Sequence, residues 1–395
     1  MKAPLVAALI ILTSTCAFSQ NKTSRSTEAD SVLLKVHEKL KGLKNMKYES
    51  MRELNYSSEN YLRTSNWSVY YDFQTTDTVT GFTFQIDDPT LMQVYNGTEK
   101  FDLNKKTKTI QVSQTPNRNS FAGLSALYNS IITLKNILPL ITFDKTATKE
   151  IADTSINNQR YSLVTINIGK RRIQNLGNGF DAMTTKSNFI YRITIDKNNY
   201  LPVEVLQKND SNNDFIKTRF NHIETNTSPL SETSWFYSTY ADDYKPAADI
   251  PIPQLISNGS LSPDWRLEVY NGAKTIALSD LKGKVVLLDF WIKNCGACIQ
   301  SVTHLNELNS KFKNKSFEIL SINSYDSKED ISWFCNKHKT NYPILIKGKE
   351  VAEKYGVSTF PTFFIIDKTG KIIYSKPGYN SAVGAEVEQV IQKAL

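Results

Sequence analysis

Residues 28–46 place Val32, Leu33, Val36, Leu40 and Leu43 at spacings of three and four, which predicts an amphipathic helix. After Lys47 the period shortens to two. Residues 46–73 and 81–86 alternate aromatic or β-branched side chains with polar ones. Turn sequences such as Asp87-Asp88-Pro89, Asn96-Gly97 and Asn104-Lys105 separate further short strands. An apolar stretch near residues 121–141 reads as helical, and strands resume at 160–168, 189–196, 201–208 and 215–224. A helix followed by an antiparallel meander makes residues 28–240 an α+β unit with a mostly antiparallel sheet.

Neither period holds in residues 241–260. Pro246, Pro251 and Pro253 fix φ and remove backbone donors, and Asn258-Gly259-Ser260 follows, so this stretch is expected to be an extended linker. Beyond it the order of elements becomes regular. Residues 265–270 and 275–278 form a hairpin around Asn271-Gly272, and 284–291 are an almost unbroken apolar strand of the kind buried on both faces. A helix at 296–312, a strand at 317–323, a helix at 328–338, a strand at 342–346 and a short helix at 351–355 follow. A strand at 362–367, a Thr369-Gly370 turn, a strand at 372–375 and a last helix at 383–394 complete the pattern. This alternation predicts an α/β domain over 261–395, a central mixed sheet with helices on both faces.

The chain's length of 395 residues suits two such domains. Its first nineteen residues fit a signal peptide: Lys2, an apolar run at 5–12, and Ala17-Phe18-Ser19 as a cleavage site that leaves Gln20 first. The run is too short for a bilayer core of roughly 30 Å. Cys16 raises the alternative of a lipid anchor, but Thr13-Ser14-Thr15 lacks the Leu and the small residue that such signals usually carry. An exported, periplasmic protein is expected. Net charge is +8 without a dense Lys/Arg cluster, which argues against a nucleic-acid partner.

The four cysteines narrow the chemistry. With Cys16 removed, Cys295, Cys298 and Cys335 remain, too few for a stapling framework. A zinc site would need two ligands beyond a Cys-x-x-Cys pair, yet His37, His222, His304 and His338 are scattered and no second pair exists, so no metal is expected. Cys295-Gly296-Ala297-Cys298 sits where a buried strand ends and a helix begins. Unpaired N–H groups and the positive helix end then face Cys295 and stabilise its thiolate, whose pKa can fall from about 8.5 to roughly 3.5–7.5. Cys298, one turn on, can attack a mixed disulfide; hence Cys295 attacks and Cys298 resolves. No cofactor beyond that redox-active disulfide is expected. Cys335, beside Trp333 and Phe334, is read as a small buried hydrophobe or, alternatively, a regulatory thiol.

Leu288-Asp289-Phe290-Trp291-Ile292-Lys293-Asn294-Cys295-Gly296-Ala297-Cys298, with Thr359-Phe360-Pro361-Thr362 downstream, resembles thioredoxin-like proteins over residues 261–395. Leu281-Lys282-Gly283-Lys284-Val285-Val286-Leu287-Leu288 and Ile365-Ile366-Asp367-Lys368-Thr369-Gly370 narrow the resemblance to the TlpA/ResA-like group. That group consists of exported thiol–disulfide oxidoreductases, usually reductants. The resemblance implies that Pro361 is the family's cis-proline and that the Phe360 backbone pairs with a client chain. It also implies that Asp289 is the buried acid that takes the proton of Cys298. Trp291 is a candidate contact of the site, with a plain core aromatic as the other reading. Asn294 replaces the Trp that many members carry before the first cysteine, and Ala297 replaces Pro. Both changes leave the reduction potential open, and with it reductase, isomerase or oxidase direction.

Upstream, Ile193-Thr194-Ile195-Asp196-Lys197-Asn198-Asn199-Tyr200-Leu201-Pro202-Val203-Glu204-Val205 and the strand at 215–224 resemble the LolA-like lipoprotein-carrier fold. That resemblance implies a concave apolar surface able to hold a hydrophobic ligand; the same residues otherwise fill a core. Three functions are compatible with these residues. The first is a reductase of protein disulfides, with protein thiol clients and a membrane-bound electron donor. The second is a ligand- or protein-binding module with an accessory redox domain, and the third is peroxidatic use of Cys295.

Overall fold

The structure, a computed structural model, describes residues 13–121, 123–183, 186–248, 253–272 and 274–395, with side chains from residue 26 onward. Most of the expected signal peptide, residues 1–12, lies outside the described residues, and 13–19 are described as helical backbone alone. The chain divides into two compact units, Met1–Ala248 and Asp249–Leu395.

In the first unit twelve strands among the described residues form one sheet, antiparallel throughout except for the edge strand Lys245–Pro246. The helices Thr13–Lys41 and Ile131–Phe143 share one hydrophobic core with the sheet. Ala29, Leu33, Val36 and Leu40 lie along a single helical stripe and are all fully buried. Burying each of the larger aliphatic side chains contributes about 1.5–3 kcal/mol, far more than helix propensity supplies. Ser130 starts the second helix by accepting the Thr133 N–H at 3.3 Å, and Thr133 Oγ1 accepts the Ser130 N–H at 3.2 Å. Tyr48, Tyr71, Phe84, Tyr95 and Tyr191 bring the sheet's large inward side chains into the same core. The apolar stripes of the two helices thus pack on the inward face of the sheet.

The expected linker is largely absorbed into the two units. Lys245–Pro246 pairs with Thr109–Ser113, and Tyr240 and Tyr244 pack on a small cluster around Phe101. Further on, Leu255 and Ile256 pack against the core of the second unit, and the Ile256 N–H donates to the Tyr355 carbonyl at 3.2 Å. Pro246 and Pro253 lie in the two flanking segments, where no regular period is required, and residues 249–252, with Pro251, lie outside the described residues.

Among the described residues of the second unit seven strands form a mixed sheet. Its order is Thr275–Ala277, Arg266–Val269, Ile344–Ile346, Phe317–Asn323, Val285–Trp291, Thr362–Ile366, Ile372–Pro377. Val285–Trp291 is parallel to Phe317–Asn323 and antiparallel to Thr362–Ile366. Its side chains alternate between two cores. Val285, Leu287 and Trp291 face the helices Gly296–Phe312, Lys328–His338 and Ser381–Ala394, whereas Val286, Leu288 and Phe290 face Trp265, Tyr355 and the helix Lys349–Lys354. Helices thus cover both faces, and Asp289 falls on the face that carries Cys298.

Candidate active site

The strand Val285–Trp291 and the helix Gly296–Phe312 are joined by three residues and Cys295, so the first cysteine is delivered to the helix N-cap by chain geometry alone. Its Sγ accepts the Cys298 N–H at 3.1 Å and lies 3.4 Å from the Phe360 carbonyl oxygen. Cys295 and Cys298 form a disulfide, with Cα atoms 5.2 Å apart. Cys295 is half-buried and faces the surface, while Cys298 is 2% exposed and packs in the core beneath. Only the first sulfur is placed to meet a macromolecular client. The Phe360–Pro361 peptide bond is cis, with Pro361 buried and Phe360 half-buried.

Asp289 is 3% exposed, and loss of hydration raises its carboxyl to about 7, opposed by the Ser321 hydroxyl that donates to Oδ2 at 2.7 Å. Oδ1 has no hydrogen-bond partner. Ser321 stands opposite Asp289 in the parallel register, which is why the two meet. Such a carboxyl changes protonation near neutral pH, as a proton acceptor for a thiol requires.

The loop before Cys295 is pinned by a segment far away in sequence. Trp291 and Asn323 pair at the ends of adjacent parallel strands, so the chain that leaves each strand emerges at the same edge. The Lys293 N–H donates to Asp326 Oδ2 at 2.6 Å, and the buried Lys293 ammonium pairs with Asp330 Oδ1 at 2.6 Å. That ammonium holds the Asp330 carboxyl below its usual range. Tyr325, 57% exposed, sets its ring edge-on to Phe360 with 5.9 Å between centroids. Trp291 corrects an expectation: it is 2% exposed and packs on Phe334 with centroids 4.3 Å apart. It belongs to the core beneath the site, and a client cannot touch it. The exposed aromatic at the rim is Tyr325 instead.

Cys335 is a free thiol, half-buried, its pKa pushed up by burial. Among the described residues no group of three or more His, Cys, Asp and Glu side chains is placed to hold a metal ion.

The AhpC/TSA family model matches residues 259–375. The thiol-disulfide oxidoreductase ResA of Bacillus thuringiensis (strain Al Hakam) is 36% identical over 116 residues, 29% of this chain and 66% of the relative. The ResA of Bacillus thuringiensis subsp. konkukian (strain 97-27) is 33% identical over 136 residues, 34% of this chain and 77% of the relative. The chain belongs to the ResA-like thiol–disulfide oxidoreductases. It spans somewhat less than two thirds of the length of the first of these ResA relatives. Among solved structures, the thioredoxin domain of a thiol-disulfide oxidoreductase from Bacteroides vulgatus aligns with 34% of this chain and 99% of its own. Its identity is 26% and its TM-score 0.32.

With this ResA-like membership in hand, the sequence reading places Cys295, Cys298, Asp289, Phe360 and Pro361 in one region of the second unit, and the structure adds contacts it did not supply. Ser321, Lys293, Asp326, Asp330 and Tyr325 were missed. A usable signal existed: two adjacent parallel strands end together, so the Ser324-Tyr325-Asp326 loop must lie beside the cysteine loop.

Proposed function

We propose that this chain is an exported reductase of protein disulfides. In its reduced form the Cys295 thiolate attacks a client disulfide, forming a mixed disulfide and releasing one client thiolate. Cys298 then gives its proton to Asp289 Oδ1 and attacks Cys295 Sγ. That step closes the Cys295–Cys298 bond and releases the second client thiolate, so the client gains the two electrons the enzyme loses. A membrane-bound dithiol donor returns those electrons to the pair. The electrons reside on sulfur, and no bound cofactor is called for.

The observation that carries the proposal is the asymmetry of the pair. Cys295 is half-buried at a helix N-cap with an N–H on its sulfur, and Cys298 is buried on the face of the sheet that also carries an acid titrating near 7. Export rests on Lys2, the apolar run after it and the small residues at 17–19; among the described residues no helix is long and apolar enough to cross a membrane. Cysteine variants test the reading. Cys295→Ser should abolish reduction of a disulfide-bonded test protein. Cys298→Ser should instead accumulate a covalent mixed disulfide, visible as a mass increase that dithiothreitol removes. Turnover that persists in Cys295→Ser would exclude the mechanism.

A further inference from the structure

The first unit holds an open cavity of about 850 Å³ that the thiol chemistry does not use. Its volume lies within the range usual for small-molecule sites, roughly 300–1,000 Å³. Arg52, from the strand Asn45–Tyr56, and Arg172, from the strand Arg171–Ile173, line it together with Tyr128.

Arg52 is only 7% exposed. One of its Nη atoms donates to the Ser125 carbonyl, and its guanidinium lies 4.9 Å from the centre of the Tyr128 ring. Its Nε is buried without a hydrogen-bond partner. Burial lowers the Arg52 pKa from its ordinary value, and Asp181 and Asp214 also line the cavity. Arg172 meets Asp181 at 3.3 Å, and its Nε is likewise buried and unpartnered. Both arginines share this wall with Tyr128, whose hydroxyl donates to Gln207 Oε1 at 2.9 Å.

A guanidinium removed from water loses several kcal/mol of hydration unless a counter-charge and well-placed acceptors replace it. Stacking on Tyr128 and one carbonyl hydrogen bond leave Arg52 short of both. Planar forks of N–H donors match carboxylate and phosphate oxygens. Phe189 and Phe215 supply apolar wall beside the arginines.

We propose that this cavity binds a small organic anion, its carboxylate or phosphate head seated between Arg52 and Arg172 and its apolar body against Phe189 and Phe215. The inference is independent of the reductase reading. The test is calorimetric titration of the full chain with octanoate and with octyl phosphate, using octanol as the neutral control. Saturable one-site binding of at least one anion is expected, with octanol at least about tenfold weaker, and the preferred anion tells carboxylate from phosphate recognition. Arg172→Gln should weaken that binding by about tenfold or more, the loss expected for one charge-assisted contact, and leave disulfide reduction unchanged. Arg52→Gln should do the same; if it fails to fold, Arg172→Gln decides alone. Absence of saturable binding for both anions at millimolar concentration, octanol binding as tightly as they do, or unchanged affinity in Arg172→Gln would each overturn the proposal.

Discussion

Asp289 is the one polar side chain on a strand whose six other residues are apolar and buried, and its surroundings set both its chemistry and its effect on stability. Its carboxyl is raised from 3.8 to about 7 by burial. Below about pH 4 it is protonated in the folded and unfolded chain alike, and folding carries no penalty. Above pH 7 the folded protein must hold a buried carboxylate. Stability is therefore fullest below the unfolded pKa and falls as pH rises to about 7, by about 4 kcal/mol at most. Asp289→Asn should unfold at higher urea than the parent at pH 8 and lose that advantage at pH 4; equal midpoints at both pH values would contradict the burial argument. The same variant should slow resolution of the mixed disulfide roughly a hundredfold while Cys295 still attacks. In the parent the resolution rate should fall below pH 7, an inflection that the variant lacks. At this scale the cysteines were legible from a Cys-x-x-Cys motif between strand and helix, whereas Pro361 and Asp289 came only through the thioredoxin-like resemblance. Ser321 and the Lys293–Asp330 pair were not legible, since the first depends on register with a neighbouring strand and the second on a loop meeting the helix Lys328–His338.

At the scale of elements, Gly296–Phe312, Phe317–Asn323 and Lys328–His338 lie where the apolar period puts them. Parallel strands buried on both faces and helices with one apolar stripe leave strong patterns. The strand Thr148–Ile156 was missed because it is the sheet's far edge and mostly exposed, so no alternation is enforced. A different device fixes the start of the second unit. Gly356 has φ +70°, and a Cβ there would lie 1.9 Å from the Gln254 carbonyl oxygen. Glycine is required both for the backbone angle and for the close approach. Gly356→Ala should lower the stability of the second unit by about 2 kcal/mol or more and its Tm by several degrees, measured by thermal unfolding. An unchanged Tm would mean that residues 254–256 do not hold this packing.

For the whole molecule, the hydrophobic cores are confined to one unit or the other, and the thiol site lies wholly in the second. The sequence placed the start of the second domain near Leu261, just after the Asn258-Gly259-Ser260 turn. Packing places it earlier: the half-buried Leu255 and Ile256 pack against the core, and the Gly259 N–H donates to the Ile372 carbonyl at 2.7 Å. No local period signals such a strap, because its fit is set by the surface it covers. A fragment starting at residue 253 should fold and retain disulfide exchange. One starting at 261 should be less stable by about 2–4 kcal/mol, from two lost apolar side chains and their backbone bonds; equal urea midpoints for the two would refute the strap. The claim on which the functional account turns is that the Cys295–Cys298 pair donates electrons. Its reduction potential, measured by equilibrating the chain in dithiothreitol redox buffers, tests that most directly. A value near or below about −270 mV, that of a thioredoxin-like reductant, is expected. A value near about −120 mV would mark a disulfide-installing oxidant and contradict it.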